Sequence, residues 1–177
     1  MCIRDRYVTG NLGDSFIGLQ VLKNKIKLNK SKTKYFINKY YMPDIQNKFS
    51  KNLLSLATSS MDISDGLITD LNKLINEQNF SYKIYEKLIP VSRNLNNLIN
   101  SKNLKKIDLV SNGDDYQILF TAKPNKARII KKLSKSLGIK ISKIGTILSG
   151  KNKSLILDQK GREIAINVDG YIHQFWS

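Results

Sequence analysis

The chain has 177 residues, 41% of them hydrophobic, and carries 30 Lys and Arg against 14 Asp and Glu for a formal net charge of +16. That length and apolar content suit one domain with a real core and exclude a disordered tail, and no apolar run reaches membrane-span length. With one cysteine, Cys2, and one histidine, His173, a disulfide framework is excluded and a histidine-built metal centre or triad is disfavoured, so the expectation is a soluble cytoplasmic protein.

Met1 to Arg6 resemble a translated sequencing-adapter end and are set aside from the fold, with a truncated reading frame as the companion expectation. Tyr7 to Gly10 predicts a short strand, and Gly10 and Gly13 allow a tight turn before a helix beginning near Asp14 or Ser15. Lys23 to Lys34 reads as an exposed connection. Tyr35, Phe36, Tyr40 and Tyr41 form an aromatic stripe suited to core packing, ended by Pro43. Ile45 to Ala57 is then expected as a helix.

The chain is organised around Met61-Asp62-Ile63-Ser64-Asp65-Gly66-Leu67. Leu67, Leu71, Leu74 and Ile75 recur at helical spacing, which predicts an amphipathic helix from about Ser64 to Glu77. Two readings fit the acids. Asp62 or Ser64 caps the helix, or Asp62 and Asp65 hold Mg²⁺ near its positive end, where a polyphosphate would sit.

Further on, Phe80 to Tyr85 predicts a strand, Pro90 and Ser92 a loop, and Leu95, Leu98 and Ile99 a short helix. Ile107 to Val110 leads into the loop Ser111-Asn112-Gly113-Asp114-Asp115, which feeds a strand over Tyr116 to Thr121. Pro124 opens a helix that Gly138 closes. Ile139 to Ile147, Ser154 to Leu157 and Ile164 to Val168 finish as strands, and the tail from Gly170 to Trp176 gathers aromatics. Strands mixed with helices without strict alternation indicate an α+β domain built on a mixed sheet.

The lysines are spread through nearly every segment beside many Asn and Ile residues. That pattern describes solvated faces rather than the focused footprint of a nucleic-acid binder. The sparse acids are more telling. Asp14, Asp62, Asp65, Asp114 and Asp115 fall into three glycine-associated motifs, the composition of cation sites and also of turns.

In order, Val8-Thr9-Gly10-x-Leu12-Gly13-Asp14-Ser15, Met61 to Leu67, Asn112-Gly113-Asp114-Asp115-Tyr116 and Gly170-Tyr171-x-His173 resemble the thiamine-monophosphate kinase family. That family belongs to the superfamily of aminoimidazole-ribonucleotide synthetase and selenophosphate synthetase. The resemblance runs from Tyr7 to the C-terminus and covers the family's C-terminal half, which carries the expectation that the N-terminal domain is absent. It implies the superfamily's C-terminal domain fold and ATP- and Mg²⁺-dependent phosphorylation of thiamine monophosphate to the diphosphate. By position, it assigns Mg²⁺ to Asp62 and Asp65, ATP to Ser64, and the thiamine substrate to Asp114 and Tyr171. Here Asn112 replaces the family's first glycine and Asp114 its glutamate, which shortens the carboxylate's reach by about one bond. A homodimer is implied for a full-length protein, and an incomplete chain is expected to be inactive alone. The alternatives are another ATP-dependent enzyme of the superfamily or a basic nucleic-acid-binding module.

Overall fold

The structure is a computed structural model that describes residues 2–75, 79–150 and 152–165. Its centre is a six-stranded sheet. The strands are β1 (Cys2–Thr9), β2 (Ala57–Asp62), β3 (Phe80–Tyr85), β4 (Ile118–Ala122), β5 (Ile141–Ser149) and β6 (Leu155–Leu157). They lie in the order β2-β4-β1-β5-β3-β6, antiparallel throughout except for the parallel pair β3 and β6. The mixed sheet of an α+β domain is therefore present.

Strand alternation divides the core between the two faces of this sheet. Val8, Leu119, Ile144 and Ile147 point into the larger cluster, which is closed by Leu67, Ile68 and Leu71 of α5 (Leu67–Ile75) and by Ile107 and Val110 of α7 (Lys106–Val110). Tyr7 and Phe120 point the other way and stack at 5.2 Å. On that face they meet Phe49 of α3 (Asn47–Ser50), Leu56 of α4 (Leu53–Leu56) and Ile130 of α8 (Ala127–Leu137). Each such side chain removed from water contributes roughly 1.5–3 kcal/mol before chain entropy is set against it. A third cluster joins α1 (Asp14–Leu22) and α2 (Lys30–Tyr41) to α6 (Arg93–Lys102) through Ile17, Phe36, Leu95 and Leu98. Gly18 makes that contact close, because a Cβ there would stand 2.2 Å from the Phe36 carbonyl oxygen.

Four expectations change. The first strand begins at Cys2, so residues set aside from the fold pair with both β4 and β5. Helix α2 starts inside the lysine-rich connection, because the Asn29 side chain accepts the Lys32 N–H at 3.0 Å and caps it. The single helix expected over residues 45–57 is two separate turns, α3 and α4, and Ala57 already belongs to β2. Finally, Gly66, at φ +112°, accepts the Asp70 N–H and so caps α5, the role foreseen for Asp62 or Ser64. Tyr171, His173 and most of the strand expected over 164–168 lie outside the described residues.

Arg6 is the misfit of the sheet. It shares the Val8 face by alternation and is fully buried, yet Nε, Nη1 and Nη2 all lack a hydrogen-bond partner among the described residues. Burial lowers its guanidinium to about 9; the nearby Tyr82 opposes that shift and Arg4 adds to it.

Candidate active site

Two loops about fifty residues apart meet at the C-terminal end of β2. The β2–β4 ladder continues past the strands, with Ile63 N–H donating to Gln117 at 2.8 Å and Tyr116 N–H to Ile63 at 2.8 Å. One step further, Asp114 N–H donates to the Ser64 carbonyl at 2.9 Å. The approach is so tight that a Cβ on Gly113 would lie 1.9 Å from the Ser64 oxygen, and one on Gly66 would lie 2.0 Å from the Ser111 oxygen. Gly113→Ala is therefore expected to cost about 2–3 kcal/mol, because the clash is with backbone that has nowhere to go. Urea unfolding measures it, and a loss under about 0.5 kcal/mol would mean that the loops do not interlock.

The interlock places Ser64, Asp65, Asn112, Gly113, Asp114 and Tyr116 around one hollow of about 780 Å³. Its far wall is α1 and α2, through Phe16, Leu19, Gln20 and Tyr40. Asp62 is exposed at the end of β2 and does not line the hollow, but with Asp114 and Asp65 it raises the Tyr116 hydroxyl after burial has done so. The three acids thus act on one tyrosine. Asp114 and Tyr116 both take left-handed backbone, φ 68° and 50°, strain of the sort that gathers at functional sites.

Around this hollow the turn at Ser64 is tied down by a carboxylate on the following helix. Asp70 is fully buried, and its Oδ2 accepts the N–H groups of both Ser64 and Asp65 at 3.0 Å. Its Oδ1 takes Lys73 at 3.2 Å, and Lys73 also pairs with Asp65. Burial raises the Asp70 carboxyl, while the Asp65 N–H and Lys73 pull it down.

The first motif supports the hollow from behind. Gly13, at φ +85°, is the cap of α1, and its N–H donates to the buried Asp115 at 2.7 Å. Burial pushes the Asp115 carboxyl up to about 8 against the pull of Gly13. Asp14 accepts from the Tyr35 hydroxyl at 2.9 Å and the Ser92 hydroxyl at 2.7 Å, so it braces α1, α2 and α6. Asp14 and Asp115 are buried braces here.

Among the described residues, no group of three or more His, Cys, Asp or Glu side chains is gathered for a metal ion. Asp62 and Asp65 nevertheless suit Mg²⁺ by type, since it prefers hard oxygen donors and is held by one or two carboxylates together with waters and substrate phosphates. Sequence reasoning missed Tyr116, Phe16 and Tyr40 as lining residues. Tyr116 stood inside a recognised motif but was read as the start of a strand.

The sheet and the two interlocked loops set on it are those of one domain family, and the chain belongs to it. Residues 7–158 match the family described as AIR synthase related protein, C-terminal domain. Thiamine-monophosphate kinases are among the proteins it is similar to. The enzyme of Buchnera aphidicola subsp. Schizaphis graminum is 34% identical over 177 residues, covering 94% of this chain and 51% of that protein. Among solved structures, AaThiL complexed with AMPPCP and TMP shares the fold with a TM-score of 0.78 at 24% identity, over 98% of this chain and 52% of that one. Thiamine-monophosphate kinase from Stenotrophomonas maltophilia K279a gives 0.77 at 22%, over 93% and 52%. The chain therefore spans about half the length of the curated relatives it matches.

Proposed function

We propose that this chain supplies one wall of a thiamine-monophosphate kinase site, where a phosphoryl group passes from ATP to the phosphate of thiamine monophosphate. The observation that carries the reading is the interlock of the 62–66 and 111–116 loops, with Ser64, Asp65 and Asp114 on one hollow. On this reading Asp62 and Asp65 hold Mg²⁺, Ser64 contacts ATP, and Asp114 faces the thiamine substrate. Tyr171 keeps its role as a substrate contact by resemblance alone. Bound Mg²⁺ shields the charge of two phosphate groups brought together.

The residues suit such a transfer. The acceptor phosphate is largely ionised near neutral pH, so the site requires no general base, and among the described residues no histidine lines the hollow. What the protein must do is orient the groups in line, and loops tied at both backbone ends are suited to that. A cationic thiazolium ring finds carboxylates in Asp65 and Asp114 and aromatic surface in Tyr116, Tyr40 and Phe16. We place the reaction in the cytoplasm and in a homodimer of the full-length protein. Among the described residues no helix is long and apolar enough to cross a membrane.

The test is turnover of thiamine monophosphate with ATP and Mg²⁺. The chain is assayed alone and fused behind the N-terminal half of the Buchnera relative. The expected result is activity only in the fusion, since two carboxylates do not enclose a triphosphate. A fusion that phosphorylates some other acceptor and not thiamine monophosphate would transfer the chain to another branch of the superfamily.

A further inference from the structure

We propose that Asp70 is the positioning residue of this site: it sets the Ser64–Asp65 turn in the conformation that presents Asp65 to a divalent cation shared with Asp62. The inference rests on the metal reading above and adds to it a residue that touches neither metal nor substrate. On its own helix Asp70 lies among Leu67, Ile68 and Leu71, all buried, where a leucine would gain apolar contact and a carboxylate costs desolvation. Something local must offset that cost. The two N–H groups on Oδ2 and the Lys73 ammonium on Oδ1 do so, and all three belong to the turn or to Asp65's own partner.

The geometry is specific in a further way. Ser64 and Asp65 are consecutive, and their N–H groups converge on a single oxygen, which requires both peptide planes to face the helix. The Ser64 carbonyl is held from the opposite side by Asp114 N–H. The Ser64–Asp65 peptide is thus gripped at both poles, which fixes the plane from which Asp65 projects. Lys73, half-exposed, bridges Asp70 and Asp65 and keeps the latter carboxylate turned toward the helix until a stronger cation competes for it. Without Asp70 the turn loses both amide ties and keeps the Asp114 bond and the Lys73–Asp65 pair.

The experiment uses the ¹⁵N-labelled 177-residue chain and two readouts: amide hydrogen exchange, and the Mn²⁺ concentration that half-broadens the signals of residues 62–66. In Asp70→Leu, Ser64 and Asp65 should exchange at least about tenfold faster relative to Phe120 of β4, as expected when bonds to a charged acceptor are lost. The Mn²⁺ half-point should rise by about tenfold, and in Asp70→Asn, which keeps one carbonyl oxygen, by clearly less. If Asp70→Leu does not fold, Asp70→Asn alone carries both readouts. Unchanged exchange at Ser64 and Asp65 overturns the tether. Loosened amides with an unchanged Mn²⁺ half-point make Asp70 structural only and overturn the positioning role. Broadening that Asp62→Asn leaves untouched in the wild-type background overturns the metal reading itself, whatever the amides do.

Discussion

Arg6→Ile raises the unfolding free energy of the chain by about 3 kcal/mol at pH 7, the scale of the effective penalty for an ion held in a protein interior without a partner. The guanidinium is fully buried on the Val8 face and makes no hydrogen bond among the described residues. Isoleucine is smaller and leaves some space unfilled, but it is apolar, β-branched and suited to a central strand. The pH dependence checks the cause. Arg6 titrates at about 9 when folded, below its ordinary value, so the unfolded chain binds more protons between the two. Stability of the arginine chain must therefore rise as pH climbs past 9, and the gap to Arg6→Ile must narrow. Urea unfolding of both proteins at pH 7 and pH 10 cancels the other titrating groups. An equal or lower stability for Arg6→Ile at pH 7 would show that the guanidinium has found a partner.

That strand also shows what the sequence carried and what it did not. Periodicity found α5 and α8, and Phe80 to Tyr85 matches β3 at both ends, because in each case a buried apolar face dictates the pattern. β2 was not recognised as a strand for the opposite reason. Ala57-Thr58-Ser59-Ser60 has little to bury, and the strand is held by its ladder to β4 and by Thr58 and Ser59 hydroxyls on Thr121, at 2.8 and 2.7 Å. Cross-strand hydroxyl pairs leave no hydrophobic signature. The start of β1 was hidden differently: Arg4, Asp5 and Arg6 read as polar and foreign, and only pairing with two neighbours makes them strand.

At the site, local chemistry was legible and direction was not. The motifs containing Ser64, Asp65 and Asp114 were recognisable as glycine-bound acids, and the fold brings them to one hollow. Whether an acid looks into that hollow or back into the turn depends on contacts far away in sequence. Asp14 resembled a site acid and became a brace between Tyr35 and Ser92. Asp70 resembled one more polar residue on an amphipathic helix, yet it is fully buried beneath the turn. Tyr40 read as core and instead lines the far wall.

On the proposed kinase reading, Asp62→Asn in the fusion with a relative's N-terminal half is expected to lower phosphoryl transfer by at least about 100-fold while leaving folding nearly intact. The size is that of losing one charge-stabilising group at a site where negative charge accumulates. The separation from folding follows from position. Asp62 is exposed at the last residue of β2, its backbone pairs with Ile118, and α5 is capped by Gly66 rather than by its side chain. Asparagine keeps the shape and changes only the charge, so urea unfolding should move by less than about 0.5 kcal/mol. The two buried acids behave in reverse: replacing Asp14 or Asp115 by leucine strands their hydroxyl and N–H donors and should register in stability before it registers in rate. The loss in Asp62→Asn should also be relieved in part by raising Mg²⁺, because a weakened site fills by mass action. Near-normal turnover in Asp62→Asn at low Mg²⁺ would mean that this carboxylate only ends a strand, and Asp65 and Asp114 would then have to carry the charge of the site.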